Sequence, residues 1–370
     1  MIRRIAIEHY RSIRSMVLDL DALTVVTGPN GSGKTNLYRA LRLLAETAHN
    51  RAGAALAAEG GLASVLWAGK GRYGGSTEPV ALKLGFSDDD FSYAVDFGLH
   101  ANGMGPFHSD PVVKAEAVWA GELLRPATSL ARRRGIFAEV RGESGWEPVT
   151  VPLEQNDSIL AQLADPRLSP EIVLLREQIR AWRFHETFRT DPDAPARRPH
   201  AGTFSPVLAD DGGNLPSVLA TIQQQGFGDE LDAAVAEAFP GARLDVGTEP
   251  GRFTAGLLQG DLRRPLLAHE LSDGTLRYLL LAAALLSPRP PRLLVLNEPE
   301  AALHVDLVPA LAGLIRRASE RTQVLVITHS AELARRLGEH GRRVELRGVG
   351  DTTIDGLLPL ERPPWSWPQR

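Results

Sequence analysis

The sequence predicts an α/β protein. A mixed, largely parallel core sheet is split between the two ends of the chain, with an antiparallel β subdomain and a helical insertion between them. Three observations carry this. A short apolar strand, Leu23–Thr27, runs through a glycine-rich turn straight into a helical pattern from Lys34 to about Ala48. The last third alternates strands with helices, which requires parallel strands joined by crossovers. The stretch between about 79 and 152 instead holds short alternating segments separated by Gly, Asp, Asn and Pro, the pattern of an antiparallel sheet.

In chain order, residues 2–7 and 16–20 alternate and predict a β-hairpin ahead of the strand at 23–27. Residues 49–77 are rich in Ala and Gly and read as a surface loop with some helix. Strands are expected at 79–86, 91–99, 112–120, 136–141 and 147–152, then helix from 157 to about 183. The proline-rich stretch 189–199 reads as an extended linker or loop. Helix returns over 214–239, and strands are expected near 242–246 and 252–258. The final third reads helix 272–286, strand 293–296, helix 304–319, strand 324–328, helix 330–338 and strand 343–347. The Pro/Trp tail from 362 is expected to fray or to dock on a surface. This divides the chain into a split core (1–50 and 255–360), a β subdomain (51–155), a mainly helical insertion (156–254) and a tail (361–370).

A length of 370 residues suits two or three structural units, or one domain with a large insertion. Hydrophobic residues make up 43% and charged residues 23%, which excludes disorder of the whole chain. The absence of cysteine excludes disulfides, thiolate zinc sites and cysteine nucleophiles, and fits a reducing compartment. The net charge of −4 is not that of a polycation, so any nucleic-acid contact must come from a local patch. Only four of the 41 basic residues are lysines (Lys34, Lys70, Lys83, Lys114), so arginine abundance by itself is compositional bias. The start, Met1-Ile2-Arg3-Arg4, shows no signal-peptide core, and the longest apolar run, 278–286, is short of the ~20 residues a membrane span needs. A cytoplasmic protein without membrane contact is expected.

The turn after the first core strand, Gly28-Pro29-Asn30-Gly31-Ser32-Gly33-Lys34-Thr35, fits G-x-x-x-x-G-K-[ST] in the strand–turn–helix context that motif needs. Glycines let successive backbone amides converge on phosphate oxygens, and the helix N-terminus adds its positive dipole end. Lys34 is expected on the β- and γ-phosphates and the Thr35 hydroxyl on Mg²⁺. The buried strand at 293–296 ends in Asn297-Glu298-Pro299-Glu300, where the C-terminal ends of parallel strands face a ligand crevice. Glu298 is the candidate for polarising the attacking water. Asn297 stands where P-loop ATPases usually carry Asp; its amide oxygen can accept from a metal-bound water but brings no charge. Upstream, Leu271-Ser272-Asp273-Gly274-Thr275-Leu276-Arg277 opens a helix with a hydroxyl and free amides, a second anion site. Downstream, His329 ends the next strand, where it could touch a γ-phosphate.

The order of these four elements resembles the ATP-binding-cassette class of ATPases, with 271–277 similar to its signature loop. The opening Ile5-Ala6-Ile7-Glu8-His9-Tyr10-Arg11-Ser12-Ile13, the cradle with Asn36-Leu37, and Asn297-Glu298-Pro299-Glu300 with Leu303-His304 resemble the SMC/RecF-like branch and its bacterial "predicted ATPase" (AAA family) group. Asp165-Pro166-Arg167-Leu168 and Ala181-Trp182-Arg183-Phe184 are similar to that group less specifically. The resemblance implies a P-loop NTPase of ABC/SMC-head type. It binds ATP through Asn30, Gly31, Ser32, Gly33, Lys34, Thr35 and Asn36, with Arg11 near the phosphates. It also implies that Ser272 and Gly274 reach the γ-phosphate of ATP held by a second copy, in a head-to-tail dimer. Ala302-Leu303-His304 would link the two sites, and a Mg²⁺-sensing glutamine would be Gln155 or Gln162. Thr35 and Asn297 are the remaining metal candidates.

The function expected is a Mg²⁺-dependent ATPase acting on DNA in repair or anti-phage defence. Its DNA contacts would come from patches such as Arg132-Arg133-Arg134 or Arg197-Arg198, and a nuclease or other effector would be separately encoded, because only 41 residues follow His329. An ATP-binding switch of weak turnover, with Asn297 as the reason, is the alternative. A transporter subunit fits less well, since Lys34 and Ser272 lie 238 residues apart.

Overall fold

The computed structural model describes residues 1–69, 81–100, 109–163, 165–249, 251–260, 262–348, 351–357 and 363–370. The part of the expected surface loop at 70–77, the start of the strand expected at 79–86 and the start of the tail at 362 therefore lie outside the described residues. The chain forms two compact units. One comprises Met1–Asp21, Val26–Trp182 and Val344–Arg370; the other comprises Ala22–Val25 and Arg183–Arg343.

The first unit carries an eight-stranded sheet. In spatial order its strands are Ile13–Asp19, Ile2–Tyr10, Leu82–Asp88, Phe91–Gly98, Val112–Ala120, Ser129–Arg134, Phe137–Gly142 and Gly145–Pro148. Every neighbouring pair is antiparallel, as the turn-separated pattern predicts. The hairpin register sets buried Ile5 against Leu18 and Ile7 against Met16, the result of period-two alternation. The helix Lys34–Ala48 forms where the sequence places it. Leu37, Leu41, Leu44 and Ala48 recur on one buried face. Arg180, closing the helix Pro170–Arg180, donates through Nε to Ala48 O at 2.8 Å and covers an orphan carbonyl.

The strand Ser129–Arg134 and the place of Arg133 depart from expectation, and the tail takes one of its two expected states. The strand Ser129–Arg134 was not anticipated, because its run of arginines masks the alternation. Arg133 alternates inward and is fully buried, 3.2 Å from the equally buried Glu116. Glu116 also accepts from Tyr93 Oη at 2.5 Å, Ser158 Oγ at 2.6 Å and Ile159 N at 2.9 Å, and Arg133 donates to Glu154 O at 2.6 Å. Arg133 is therefore a structural tie between the sheet and residues 154–159, not part of a nucleic-acid patch; Arg132 is held by Glu139 at 2.6 Å. The tail docks rather than frays. Trp365 meets Trp119 edge-on at 5.8 Å, and Arg370 grips the buried Asp96 through two bonds of 2.7 and 2.8 Å.

In the second unit, Arg183–His185, Leu293–Asn297 and Gln323–Ile327 lie side by side as parallel strands. Parallel pairing requires crossovers. The helix Val308–Ser319, entered through a 3₁₀ turn at Val305–Leu307, makes the one between the last two strands. The helix expected over 214–239 is two helices, Leu215–Ile222 and Gly228–Ala238, broken at Gly226, whose φ is 88°. The strands Ala242–Glu249, Arg252–Gln259 and Leu266–Leu267 form a small antiparallel sheet. In the helix Asp273–Leu285 every residue from Leu276 onward is buried. Such a helix, apolar on all sides, is the centre of a core, and it packs among Leu219, Leu296, Leu311, Ile315 and Val326.

Candidate functional site

The residues picked from the sequence fall into two sets, one in each unit. The strand Leu23–Thr27 delivers the chain into the glycine-rich turn of the first unit, and Thr27 Oγ1 donates to Val344 O at 3.5 Å. Gly28 has φ 151° and its missing Cβ would overlap the carbonyl oxygen of Leu346; Gly33 has φ 96° and a Cβ there would overlap the Thr352 side chain. Both positions exclude any other residue on conformation and on space. Pro29, Asn30, Gly31 and Thr35 are exposed. Lys34 is 4% exposed and curls back over the turn, its Nζ donating to Gly28 O at 2.5 Å and Pro29 O at 3.0 Å. No side chain caps the helix that follows, so its leading amides and its dipole remain directed at an anion. Ser32 Oγ is buried without a hydrogen-bond partner, which costs about 1–3 kcal/mol unless a ligand or water satisfies it. An uncapped helix start, a buried lysine and an unpartnered hydroxyl on one turn fit a bound phosphate chain.

Ser12 braces this turn: its Oγ accepts from Asn36 Nδ2 at 2.8 Å and lies 2.7 Å from Thr352 Oγ1. Arg11, next to it, has φ 49° and its guanidinium is held by Glu59 at 2.7 Å. Gln162 is fully engaged, accepting from Glu154 N at 2.7 Å and donating to Glu154 O and Asp157 O at 3.1 and 2.9 Å. Gln155 is exposed.

The second set sits where parallel strands end. Asn297 is the last residue of its strand and 5% exposed. Glu298 then turns the chain with φ 50°, a left-handed conformation that is costly for a non-glycine residue. It is held there by its amide donating to Ile327 O at 2.7 Å. Its Oε1 lies 2.9 Å from His329 Nε2, and both side chains are about 40% exposed. The structure thus joins the two residues that sequence spacing could only place at the ends of successive strands. Glu300 fixes the second of them: its Oε1 accepts from Thr328 Oγ1 at 2.5 Å and from the amides of His329 and Ser330 at 3.2 and 3.1 Å.

Ser272 is the exposed N-cap of the buried core helix, accepting from Thr275 N at 3.2 Å. A Cβ on Gly274 would stand 3.2 Å from Ala302 O, so the loop 302–304 passes beside the helix start. Arg197, expected as a DNA contact, is instead buried beneath residues 268–273. It donates to Ala268 O and Leu271 O at 2.9 and 2.8 Å and pairs with Asp273 at 2.6 Å. Sequence reasoning also missed Arg277 and Glu186. Arg277, one turn into the helix, donates to Glu186 O at 3.3 Å and Glu298 O at 3.2 Å; burial pulls its pKa below the usual arginine value. Glu186 accepts from Asn297 Nδ2 at 3.2 Å. The strand just before it, Arg183–His185, is three residues long, too short to show periodicity.

A sequence profile of the family described as "AAA domain, putative AbiEii toxin, Type IV TA system" matches residues 23–335. The chain belongs to this family. Among solved structures its fold is that of SMC head domains. A head from Pyrococcus furiosus, with an extended coiled coil and bound to the C-terminal domain of ScpA, has a TM-score of 0.50 at 12% identity, covering 95% of each chain. A Pyrococcus yayanosii head with a coiled coil and joint has a TM-score of 0.50 at 10% identity over 98% of both chains. An SMC head bound to the C-winged helix domain of ScpA has a TM-score of 0.50 at 15% identity, covering 95% of this chain and 97% of that one. At these identities the likeness is one of fold. No curated protein matches the chain. The chain is thus an AAA-domain family member with the fold of an SMC head, the mixed α/β P-loop architecture expected from its motifs. No helix among the described residues is long and apolar enough to cross a membrane.

Proposed function

We propose that this protein is a Mg²⁺-dependent ATPase whose ATP-bound state is a head-to-tail dimer, working in DNA repair or anti-phage defence. The observation that carries the hydrolytic part is the Glu298–His329 pair, 2.9 Å apart at the end of a buried parallel strand. Glu298 orients and deprotonates the attacking water, and His329 and Lys34 stabilise charge on the γ-phosphate. Phosphoryl transfer needs positioning and charge more than covalent help. Thr35 and Asn297 are the candidate holders of Mg²⁺, with Gln155 better placed than Gln162 to sense it, since the Gln162 amide is engaged. Mg²⁺, when bound, neutralises phosphate charge. Such an ion is held partly by substrate phosphates.

In this reading the exposed Ser272 cap and Gly274 serve ATP on a second copy, with Arg11 near the phosphates and 302–304 joining the two sites. The split core of 1–50 and 255–360 carries the cradle, the acidic strand end and the Ser272 cap, the β subdomain of 51–155 and the helical insertion of 156–254 surround it in sequence, and the tail is a docked strap. DNA, or a separately encoded effector protein, is the partner class; Arg133 and Arg197 are withdrawn as contacts because both are buried in ion pairs. An ATP-dependent gel shift on single- and double-stranded DNA tests that part. For the enzyme itself, Lys34→Ala abolishes ATP binding, while Glu298→Gln retains binding and loses turnover by at least about 100-fold. Equal turnover of Glu298→Gln and the natural protein would remove Glu298 as the base.

A further inference from the structure

Asn297 is the departure of this chain from the usual acidic residue at its strand end, and the neighbouring strand answers it. Arg183–His185 pairs in parallel with the acidic strand, with His185 beside Leu296. The next residue on one strand is therefore Glu186 and on the other Asn297. Arg277 fixes both strand ends, binding the carbonyls of Glu186 and Glu298. The side chains then meet, Asn297 Nδ2 donating to Glu186 Oε1 at 3.2 Å.

This bond decides how the amide faces. An ionised carboxylate only accepts, so Asn297 must turn its NH₂ toward Glu186. Its carbonyl oxygen is thereby fixed on the other arm, and that oxygen is buried with no hydrogen-bond partner while the residue is 5% exposed. Glu186 itself is exposed. A buried acceptor with no donor, held rigidly by an accessible carboxylate, is the arrangement a hydrated cation would satisfy: a metal-bound water donates to the amide oxygen, and the carboxylate supplies the missing negative charge.

We propose that Glu186 and Asn297 together replace the single carboxylate usual at this position, with Glu186 the charge that retains Mg²⁺ at this strand end. This rests on the ATPase reading above. It makes the neutrality of Asn297 a redistribution of charge between two strands rather than a loss of it.

The test is equilibrium ATP binding to the full chain with Mg²⁺ varied, and separately in EDTA, with Mn²⁺ uptake followed by electron paramagnetic resonance. Glu186→Gln raises the Mg²⁺ concentration for half-maximal ATP retention by roughly 10–100-fold, leaves binding in EDTA unchanged and weakens Mn²⁺ uptake in parallel. Adding Asn297→Asp to Glu186→Gln returns the half-point to the natural value, a rescue that loss of a structural hydrogen bond would not give. An unchanged half-point in Glu186→Gln, or a double variant that folds with the same unfolding temperature and is not restored, would overturn the proposal. Failure of the natural protein to bind ATP under any metal condition would instead overturn the ATPase reading.

Discussion

At the scale of single residues, the buried polar groups sort into those satisfied by protein and those awaiting something else. Glu116 and Arg133 are surrounded by partners, whereas Ser32 Oγ, Asn297 Oδ1 and Glu300 Oε2 have none. These three lie on the two motifs that the sequence marks as phosphate cradle and acidic strand end; other buried unpartnered atoms, among them Ser87 Oγ and the Trp119 and Trp365 indole nitrogens, lie elsewhere among the described residues. His185, just before Glu186, is buried against Phe188 with ring centroids 4.9 Å apart. Desolvation pushes its pKa down to about 4, with Asp210 pulling weakly the other way. The folded state therefore keeps it neutral between pH 6.5 and 4 while the unfolded chain takes up a proton, so stability is full above pH 6.5 and falls as pH drops through this window. From pH 7.5 to 5 the loss from this one group is about 2 kcal/mol. Urea unfolding of the natural protein and His185→Phe at both pH values measures it: the variant loses about 2 kcal/mol less. Equal losses in the two proteins would mean that His185 titrates when folded.

At the scale of elements, the strongly patterned segments are where they were expected, while two long helices are not single: the one expected over 157–183 is Ile159–Gln162 and Pro170–Arg180, and the one over 214–239 breaks at Gly226. The helix Lys34–Ala48, the helix Asp273–Leu285 and the strand Leu293–Asn297 are long or uniformly apolar enough to be read directly. The elements missed have physical reasons. Arg183–His185 and Thr352–Ile354 are three residues each, and Ser129–Arg134 hides an inward-facing arginine in a polar run. The site was legible as motifs but not as supports: nothing local in the sequence says that Arg197 lies beneath the Ser272 loop or that Glu300 anchors the His329 turn. The role of Arg197 is testable. It makes two carbonyl bonds and one ion pair to 268–273, so Arg197→Met frees the start of the helix without touching the cradle. ATP binding to the monomer stays unchanged, while hydrogen exchange over 268–276 speeds up at least about tenfold. Unchanged exchange there would show that the loop is held by other means.

At the scale of the whole molecule, the account depends on two copies completing one site, in which the exposed Ser272 cap of one copy meets the triphosphate held in the cradle of the other. A protein trapped before hydrolysis should therefore pair, and a bulky cation at the cap should prevent pairing without emptying the cradle. The most direct measurement is light scattering of Glu298→Gln, with and without ATP and Mg²⁺, beside Glu298→Gln carrying Ser272→Arg. The account predicts that ATP doubles the mass of the first from 40.1 kDa and leaves the second monomeric, although both bind ATP equally. A Glu298→Gln protein that binds ATP yet stays at monomer mass, or a Ser272→Arg protein that still pairs, would contradict it.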